Sequence, residues 1–592
     1  MRHKHTFHIP VMGTAFTADT PLKVSQYGID SVISIVDDVL LERLRKVYSD
    51  KYNMFYDEIK NNIKDYRAQR ITSYLNLVHE IAEYKFHDLT SSVVERYEDI
   101  KKYFRLLPKG NQLREDFAKH TLSPIDFEKL TIWLKENLSM GSIDVNIMTK
   151  VDKKNYYKKK ELSSEYNDAH AALRGYANSK LESSVIFSAG LNPSLYGYIA
   201  EFDDFFPNIE GYIKKKIVLK VSDYRSAIIQ GKFLAKKGLW VSEYRIESGL
   251  NCGGHAFATD GYLLGPILAE FKTKRIELFD ETYKIFKKAL IEKNRIVPQN
   301  KLNIKITAQG GVGTAEEHDF LIKHYNLDSV GWGTPFLLVP EVTNVDKKTL
   351  NKLQKAKEKD LYLSKVSPLG VPFNNLRNSS KELEKLEKVS NGKPGSPCPR
   401  RYLALKNEYR VDGICTASRQ YQKNKIKEHG ISDKITDKVC LCMGLAATVV
   451  VNHKLDYKES KAISICPGPN MAYFDKQISL SEMTNFIYQG FNGIVREDRP
   501  NIFVKELNLY IDYLIEKVND HKENWEKRSA KYLSSFSNNL VSGINYYQDL
   551  FTELNSNFYD IKEDIISDLK VSLNNLKDIQ NEIFNLIDYH QQ

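Results

Sequence analysis

The sequence predicts an α/β protein built on a (β/α)8 TIM barrel, extended by a large helical insertion, a Cys-rich module and a C-terminal helical region. Two features carry that prediction. Two apolar, β-rich runs, ending in Gly310-Gly311-Val312-Gly313-Thr314 and in Gly331-Trp332-Gly333-Thr334, follow each other about twenty residues apart. Consecutive strand–Gly–helix units aim backbone N–H groups at one dianion, and in a (β/α)8 barrel this is where strands 7 and 8 hold a phosphate. The chain is also 592 residues long, too long for one ordinary core, so two to four structural units are expected.

Taken in order, residues 5–40 read as strand, loop, short helix and second strand. Pro21 suits the first helical position after Thr20, and residues 31–36 (Ser-Val-Ile-Ser-Ile-Val) have the pattern of a buried strand. From 41 to 140 the apolar residues recur at helical spacing, as in Leu40, Leu41, Leu44 and Val47, or Tyr74, Leu77, Val78 and Ile81. This reads as a helical insertion in a βα loop, placed to cover the barrel mouth. The barrel resumes over 141–345, with strands expected at 218–221, 239–246 and 304–308 and a helix over 314–325. Thr314 stands at the N-cap and Glu317 at the capping-box position.

Residues 346–478 read as a Lys-, Asn- and Ser-rich linker followed by the Cys-rich module. Over 479–592 the pattern is helical again. Leu507, Leu509, Tyr510, Tyr513 and Leu514 form one apolar stripe, and Ile561, Ile565, Leu569, Leu573 and Leu576 another. Asn and Ser around 537–545 predict a break between two helices. Stripes this long must be covered, either as a cap on the barrel or as a hairpin through which two chains form a homodimer.

Composition bounds the setting. No run of 18 apolar residues appears, so no membrane span is expected. The basic N-terminus lacks the apolar core of a signal peptide. Six cysteines do not make a secreted disulfide scaffold, and the cytoplasm is the expected compartment. The net charge of +10 is modest for the length and is gathered in 150–160 and 347–359. A basic loop with tyrosines is one mark of an anionic partner. Solvated Lys-rich loops account for it as well, and nucleic acid is not expected.

Several short motifs resemble, in order along the chain, those of the nitronate monooxygenase (2-nitropropane dioxygenase-like) family, which includes FMN-dependent enoyl reductases. They are His-Ile-Pro-Val-Met-Gly ending at Met12 and Gly13, Asp144-Val-Asn146-Ile-Met148, Val185 to Pro193, Glu247 to His255 with its Cys-Gly-Gly-His end, Gly310-Gly311, and Gly333-Thr334-Pro335-Phe336. The resemblance covers parts of 5–40 and 140–342. It implies a flavin barrel. The FMN phosphate would meet the N–H groups of Gly310, Gly311, Gly313, Gly333 and Thr334. Met12, Gly13, Gly253 and Gly254 would lie close to the ring, and Asn146 would meet its polar atoms. Lys220 joins this set only from its position near a strand end. The resemblance also makes His255 the catalytic candidate, in line with the unperturbed pKa of an imidazole. Glu247 would orient it or bind the ring, and Cys252 reads as a small buried thiol.

Five of the six cysteines, Cys398, Cys415, Cys440, Cys442 and Cys466, crowd into the Cys-rich module. Gathered thiolates suit a soft metal. An iron–sulfur cluster, a structural zinc and a set of buried free thiols all remain open. The functional expectation is an FMN-dependent oxidoreductase acting on an unsaturated or nitro-type organic substrate, with an iron–sulfur relay if the cysteines bind iron. The alternatives are an enoyl reductase for carrier-bound acyl chains and, from another class, a non-catalytic ligand-binding or scaffold protein.

Overall fold

The computed structural model describes residues 5–35, 37–119, 124–149, 151–157, 160–188, 190–254, 260–455, 461–490, 493–523, 527–554, 558 and 561–589. Eight parallel strands lie in one sheet in strict chain order: β1 (Phe7–His8), β2 (Ser31–Ser34), β3 (Ile143–Ile147), β4 (Ser184–Phe187), β5 (Lys216–Val221), β6 (Val241–Glu247), β7 (Lys305–Gln309) and β8 (Ser329–Gly331). β1 pairs with β8 through Phe7–Val330 and His8–Gly331. A single parallel bridge, Ile9 to Ser31, joins β1 to β2 and closes the ring. The fold is a (β/α)8 barrel.

The interior of this barrel is unusually polar on one side. Along β6, Glu243, Arg245 and Glu247 alternate with Tyr244 and Ile246 in the period-2 manner of a strand. Arg245 Nε donates to Glu243 at 2.8 Å, and Thr307 Oγ1 donates to the same carboxylate at 2.6 Å. Both charged side chains are nearly out of water, where such a pair persists only because it is also hydrogen-bonded.

Among the described residues, five helices run between β2 and β3: Asp38–Lys51, Tyr66–Ser91, Tyr97–Leu106, Gln112–Ala118 and Pro124–Asn137. Tyr66–Ser91 packs on Asp38–Lys51 and on Asp168–Ala177, the helix after β3. The insertion therefore thickens the outer flank, and none of its described residues lines the mouth cavity. This corrects the expectation that it covers the mouth.

The cover comes from further along the chain. Within the stretch read as a linker, β9 (Leu361–Ser364) and β10 (Phe373–Leu376) form an antiparallel hairpin, followed by the helix Ser380–Ser390. Asn374 N–H donates to Gly254 O at 2.9 Å, which fixes the hairpin to the loop after β6.

Three long helices, Ile502–Glu523, Lys527–Glu553 and Lys562–Tyr589, form a bundle. The first two pack on Leu264–Thr273. Most of both stripes is covered within the chain: Leu507, Tyr510, Leu514, Ile565, Leu569 and Leu576 are buried, while Ile561 is exposed. At roughly 2 kcal/mol per buried large apolar side chain, the bundle belongs to the folded body. The break expected near 537–545 is not there. Lys527–Glu553 runs straight through because Phe536, Leu540, Ile544 and Tyr547 bury one face, and packing overrides the low helix propensity of Asn and Ser. Gly543 belongs to this contact, since a Cβ there would meet Leu263 Cδ1 at 2.6 Å. Among the described residues, no helix is long and apolar enough to cross a membrane.

Candidate active site at the barrel mouth

The C-terminal ends of the strands open on a cavity of about 420 Å³. Its floor is polar and comes from four strands: Asn146 from β3, Ser188 just past β4, Lys220 from β5 and Glu247 from β6. Its roof is apolar and comes from Leu369, Val371, Phe373, Leu405 and Leu445. Of the residues expected to meet a cofactor, Gly13, Asn146, Lys220, Gly253 and Gly254 line this one space. Met12 does not. It is fully buried beneath the mouth, near Gly333.

Glu247 is the hub of the floor. Its Oε1 accepts from Lys220 Nζ at 3.0 Å, Asn251 Nδ2 at 2.6 Å and Gln309 Nε2 at 2.8 Å. Residues from β5, from β7 and from the loop after β6 are thereby held to one carboxylate. Such a group presents fixed charge and fixed donors to a ligand without reorganising them.

The loop after β6 needs its glycines. Gly253 and Gly254 have φ of +118° and +108°, a region side-chain-bearing residues avoid. A Cβ on Gly253 would meet the Val11 carbonyl oxygen at 2.8 Å. The pair lets the loop lie against the segment after β1. His255, the catalytic candidate, is the next residue and lies outside the described residues.

The β7 and β8 loops divide into two sets of groups. Gly313 N–H donates to Glu317 Oε2 at 2.8 Å, while Thr314 Oγ1 caps the helix Ala315–His324 by accepting from Glu317 N–H. Glu317 is held in turn by Arg499 at 2.8 Å, in a pair almost fully out of water, and it also accepts from Ile502 N–H at 2.7 Å. The carboxylate of this chain thus already neutralises Gly313, which leaves the phosphate set. Among the described residues, the N–H groups of Gly311, Val312, Gly333 and Thr334 donate to no protein acceptor. Gly311, Val312 and Thr334 are buried. Buried amides without an acceptor are rare and costly, and an anion held between these loops would satisfy them. By this test the residues fit a phosphate. Gly310 and Gly333 also approach the loop after β6, where an added Cβ would meet Asn251 and Cys252 respectively.

Two cysteines, Cys252 and Cys466, line the mouth cavity. Cys466 lies in the mouth cavity, next to Cys252, whose thiol is 3.8 Å from the Cys466 carbonyl oxygen. Burial pushes Cys252 up to about 11 and raises Cys466 as well. Cys398, Cys415 and Cys442 belong, with Cys466 itself, to one apolar cluster of the module, and Cys440 stands between its Val439 and Leu441. Among the described residues, no group of three or more His, Cys, Asp or Glu side chains is arranged to hold a metal ion. That arrangement lends no support to the iron–sulfur and zinc readings of Cys398, Cys415, Cys440, Cys442 and Cys466. Cys466 is spent at the mouth. Cys440 is the N-cap of the helix Leu441–Asn452 and Cys442 its second residue, so the two do not share one face of an extended segment. Cys398 and Cys415 are hydrogen-bonded thiol to thiol. That bond, aided by the Arg401 amide and by the charges of Arg401 and Lys153, brings Cys398 down to about 7 against the effect of burial. The same bond, then burial, holds Cys415 far above the ordinary thiol range.

Sequence reasoning missed the roof and the clamp behind the loop. The roof had a local signal, the Pro-Leu-Gly turn between two short apolar runs. Glu317–Arg499 and the buried Glu506 had none, because each joins residues far apart in the chain.

No protein-family model matches the chain, and no curated protein matches it. Among solved structures it is similar to FabK from Thermotoga maritima, with 15% identity, 67% of this chain and 85% of that chain covered, and a TM-score of 0.32. It is also similar to the enoyl reductase domain of MlnA from the macrolactin biosynthesis cluster of Bacillus amyloliquefaciens, with 13% identity, 72% and 89% covered, and a TM-score of 0.32. At these TM-scores neither likeness carries an argument, and the assignment of the mouth rests on the chain's own residues.

Proposed function

We propose that the chain is an FMN-dependent oxidoreductase acting in the barrel mouth on an unsaturated or nitro-type organic substrate. The observation that carries this reading is the set of unpaired amides at Gly311, Val312, Gly333 and Thr334, beside a cavity floored by Asn146, Lys220 and Glu247. FMN, when bound, supplies hydride or electron transfer; the protein supplies position and electrostatics. The amides hold the phosphate. Asn146 and Lys220 offer donors to polar ring atoms, and Gly13, Gly253 and Gly254 give close backbone approach. Glu247 keeps Lys220 in place. His255 holds or delivers a proton at the substrate. The roof of Leu369, Val371 and Phe373 excludes water from the reacting atoms. That apolar roof also favours the second reading, in which the substrate is the unsaturated acyl chain of a carrier.

The test begins with FMN added to the purified protein. Flavin fluorescence should be quenched, with one flavin bound per chain. Gly311→Asp puts a carboxylate among the amides and should abolish retention; normal flavin content in that folded variant overturns the phosphate seat. His255→Ala should keep the flavin and lower turnover by about 10²- to 10⁴-fold, the range for a lost acid/base group. A wild-type chain that takes up no flavin would instead favour a non-catalytic ligand-binding barrel.

A further inference from the structure

The Cys-rich module contains a second cavity, of about 200 Å³, open to solvent and away from the barrel mouth. Cys398 and Cys415 both line it, together with Arg401, Arg410 and Arg419. The backbone explains why the two thiols meet. Ser396 N–H donates to Ala417 O at 3.1 Å, and Arg419 N–H donates to Ser396 O at 3.0 Å. Segments that start two residues before Cys398 and end after Cys415 are therefore laid side by side, and both cysteines line the one cavity. Cys398 is half-buried and Cys415 is buried.

The charge around the pair is one-sided. Arg401 and Arg410 share a single carboxylate, Asp412, at 2.6 and 2.9 Å. Arg419 is exposed and makes no ion pair among the described residues. A surplus of guanidinium around a thiol pair attracts anions and favours thiolate over thiol.

We propose that Cys398 and Cys415 form a dithiol–disulfide couple that exchanges with low-molecular-weight disulfides bearing carboxylates. The Cys398 thiolate attacks one sulfur of the small disulfide. A mixed disulfide forms at Cys398, the S–S bond of the reagent breaks, and its first half leaves as a thiolate. The Cys415 thiol then gives its proton to solvent, and its sulfur attacks Cys398 Sγ. The protein disulfide forms and the second half leaves as a thiolate. The protein dithiol loses two electrons and the small disulfide gains them; both protein protons pass to solvent and the two halves are released as thiolates. The arginines receive the carboxylates of the small molecule. The loop between the two cysteines also carries Leu405, part of the roof of the barrel cavity, so oxidation tightens a segment that touches the mouth.

The test uses the full chain and 5,5′-dithiobis(2-nitrobenzoate), a disulfide with a carboxylate on each half, in limiting amount. The expected result is two coloured thiolates released for each probe consumed, and a chain lighter by two hydrogens with Cys398 and Cys415 in one cross-linked peptide. Cys440 and Cys442 should stay unmodified. Cys415→Ser should stop at a mixed disulfide on Cys398 with one thiolate released. Arg419→Ala should slow the reaction with this probe roughly tenfold, while the rate with uncharged hydroxyethyl disulfide stays the same. A stable mixed disulfide in the wild type, or a cross-link between other cysteines, overturns the proposal. So does a tightly bound metal ion that must be chelated away before any thiol reacts. If Cys415→Ser does not fold, the peptide map of the oxidised wild type still decides.

Discussion

Glu247 gathers Lys220, Asn251 and Gln309 on one oxygen, and removal of any partner leaves the others around a charge short of company. Lys220→Met is the sharpest probe. It keeps the length of the side chain and strands a carboxylate that is about four-fifths covered. Stability should fall by about 1–3 kcal/mol, less than for a fully buried pair because some water still reaches it. Equilibrium denaturation measures this, and an unchanged midpoint would mean that the pair orders nothing. At this scale much was legible beforehand. Gly13, Asn146, Lys220 and the pair Gly253-Gly254 come from four separate stretches of sequence and line one cavity, because strand ends in a closed parallel barrel must converge. Met12, Gly310, Gly311, Gly313, Gly333 and Thr334 were expected around the same cofactor and do not line that cavity. Whether an amide is free depends on a partner such as Glu317, and no local pattern displays that partner's orientation.

Among the elements, Ile502–Glu523 has the most specific relation to the site. Its Glu506 is fully buried and accepts from Ser248 Oγ at 2.6 Å, Gly249 N–H at 3.2 Å and Leu264 N–H at 2.7 Å. One side chain thus pins the loop after β6 at both ends, and Tyr547 from the next helix adds a bond from Gly265 N–H at 2.9 Å. Burial raises the Glu506 carboxyl, and its three donors oppose this. Glu506→Ala leaves buried donors unmet and should cost roughly 2–3 kcal/mol. It should also speed amide exchange at 248–254 and 260–264, with the barrel strands unaffected. Glu506→Gln keeps an acceptor oxygen and should fall between; exchange at the loop unchanged in Glu506→Ala would remove the clamp. The apolar stripe of this helix could be read from Leu507, Tyr510 and Leu514, since amphipathic spacing is a local property. What the stripe faces is not local. The same limit explains the hairpin of β9 and β10, whose polar residues Asn374 and Asn375 are buried through bonds to distant backbone and to Tyr362.

The molecule as a whole depends on a thin seam. β1 is two residues long, β8 is three, and one bridge at Ile9 completes the ring. Buried imidazoles reinforce the seam. His318 Nδ1 accepts from Trp332 Nε1 at 3.1 Å, which fixes the ring proton on Nε2, and that atom lies 2.9 Å from Thr6 Oγ1. His8 Nδ1 lies 2.9 Å from Ser329 Oγ, across from β1 to β8. Burial holds His318 down to about 4 and His8 well below the ordinary range, the latter with help from the charge of Arg245. In the unfolded chain both rings titrate near 6.5. Between about 6.5 and 4 the unfolded chain therefore binds more protons than the folded one. Their contribution to stability is full above 6.5 and is lost as pH falls through 4, at up to about 1.4 kcal/mol per pH unit for each ring. Asp144, raised by burial to about 6, takes up a proton in the folded state over part of the same range and offsets one ring. The decisive measurement is therefore a difference. The free energy of unfolding, followed by denaturant titration from pH 7 to 4.5, should fall less steeply in His318→Gln than in the wild type, by about one proton's worth of slope. Parallel slopes would mean that His318 is charged in the folded barrel, in conflict with the Trp332 bond. If the slopes differ as expected, the barrel opens under acid first where β1 meets β8. Tyr488, from a helix far beyond the barrel, holds that edge through bonds to His5 and to the Thr6 N–H.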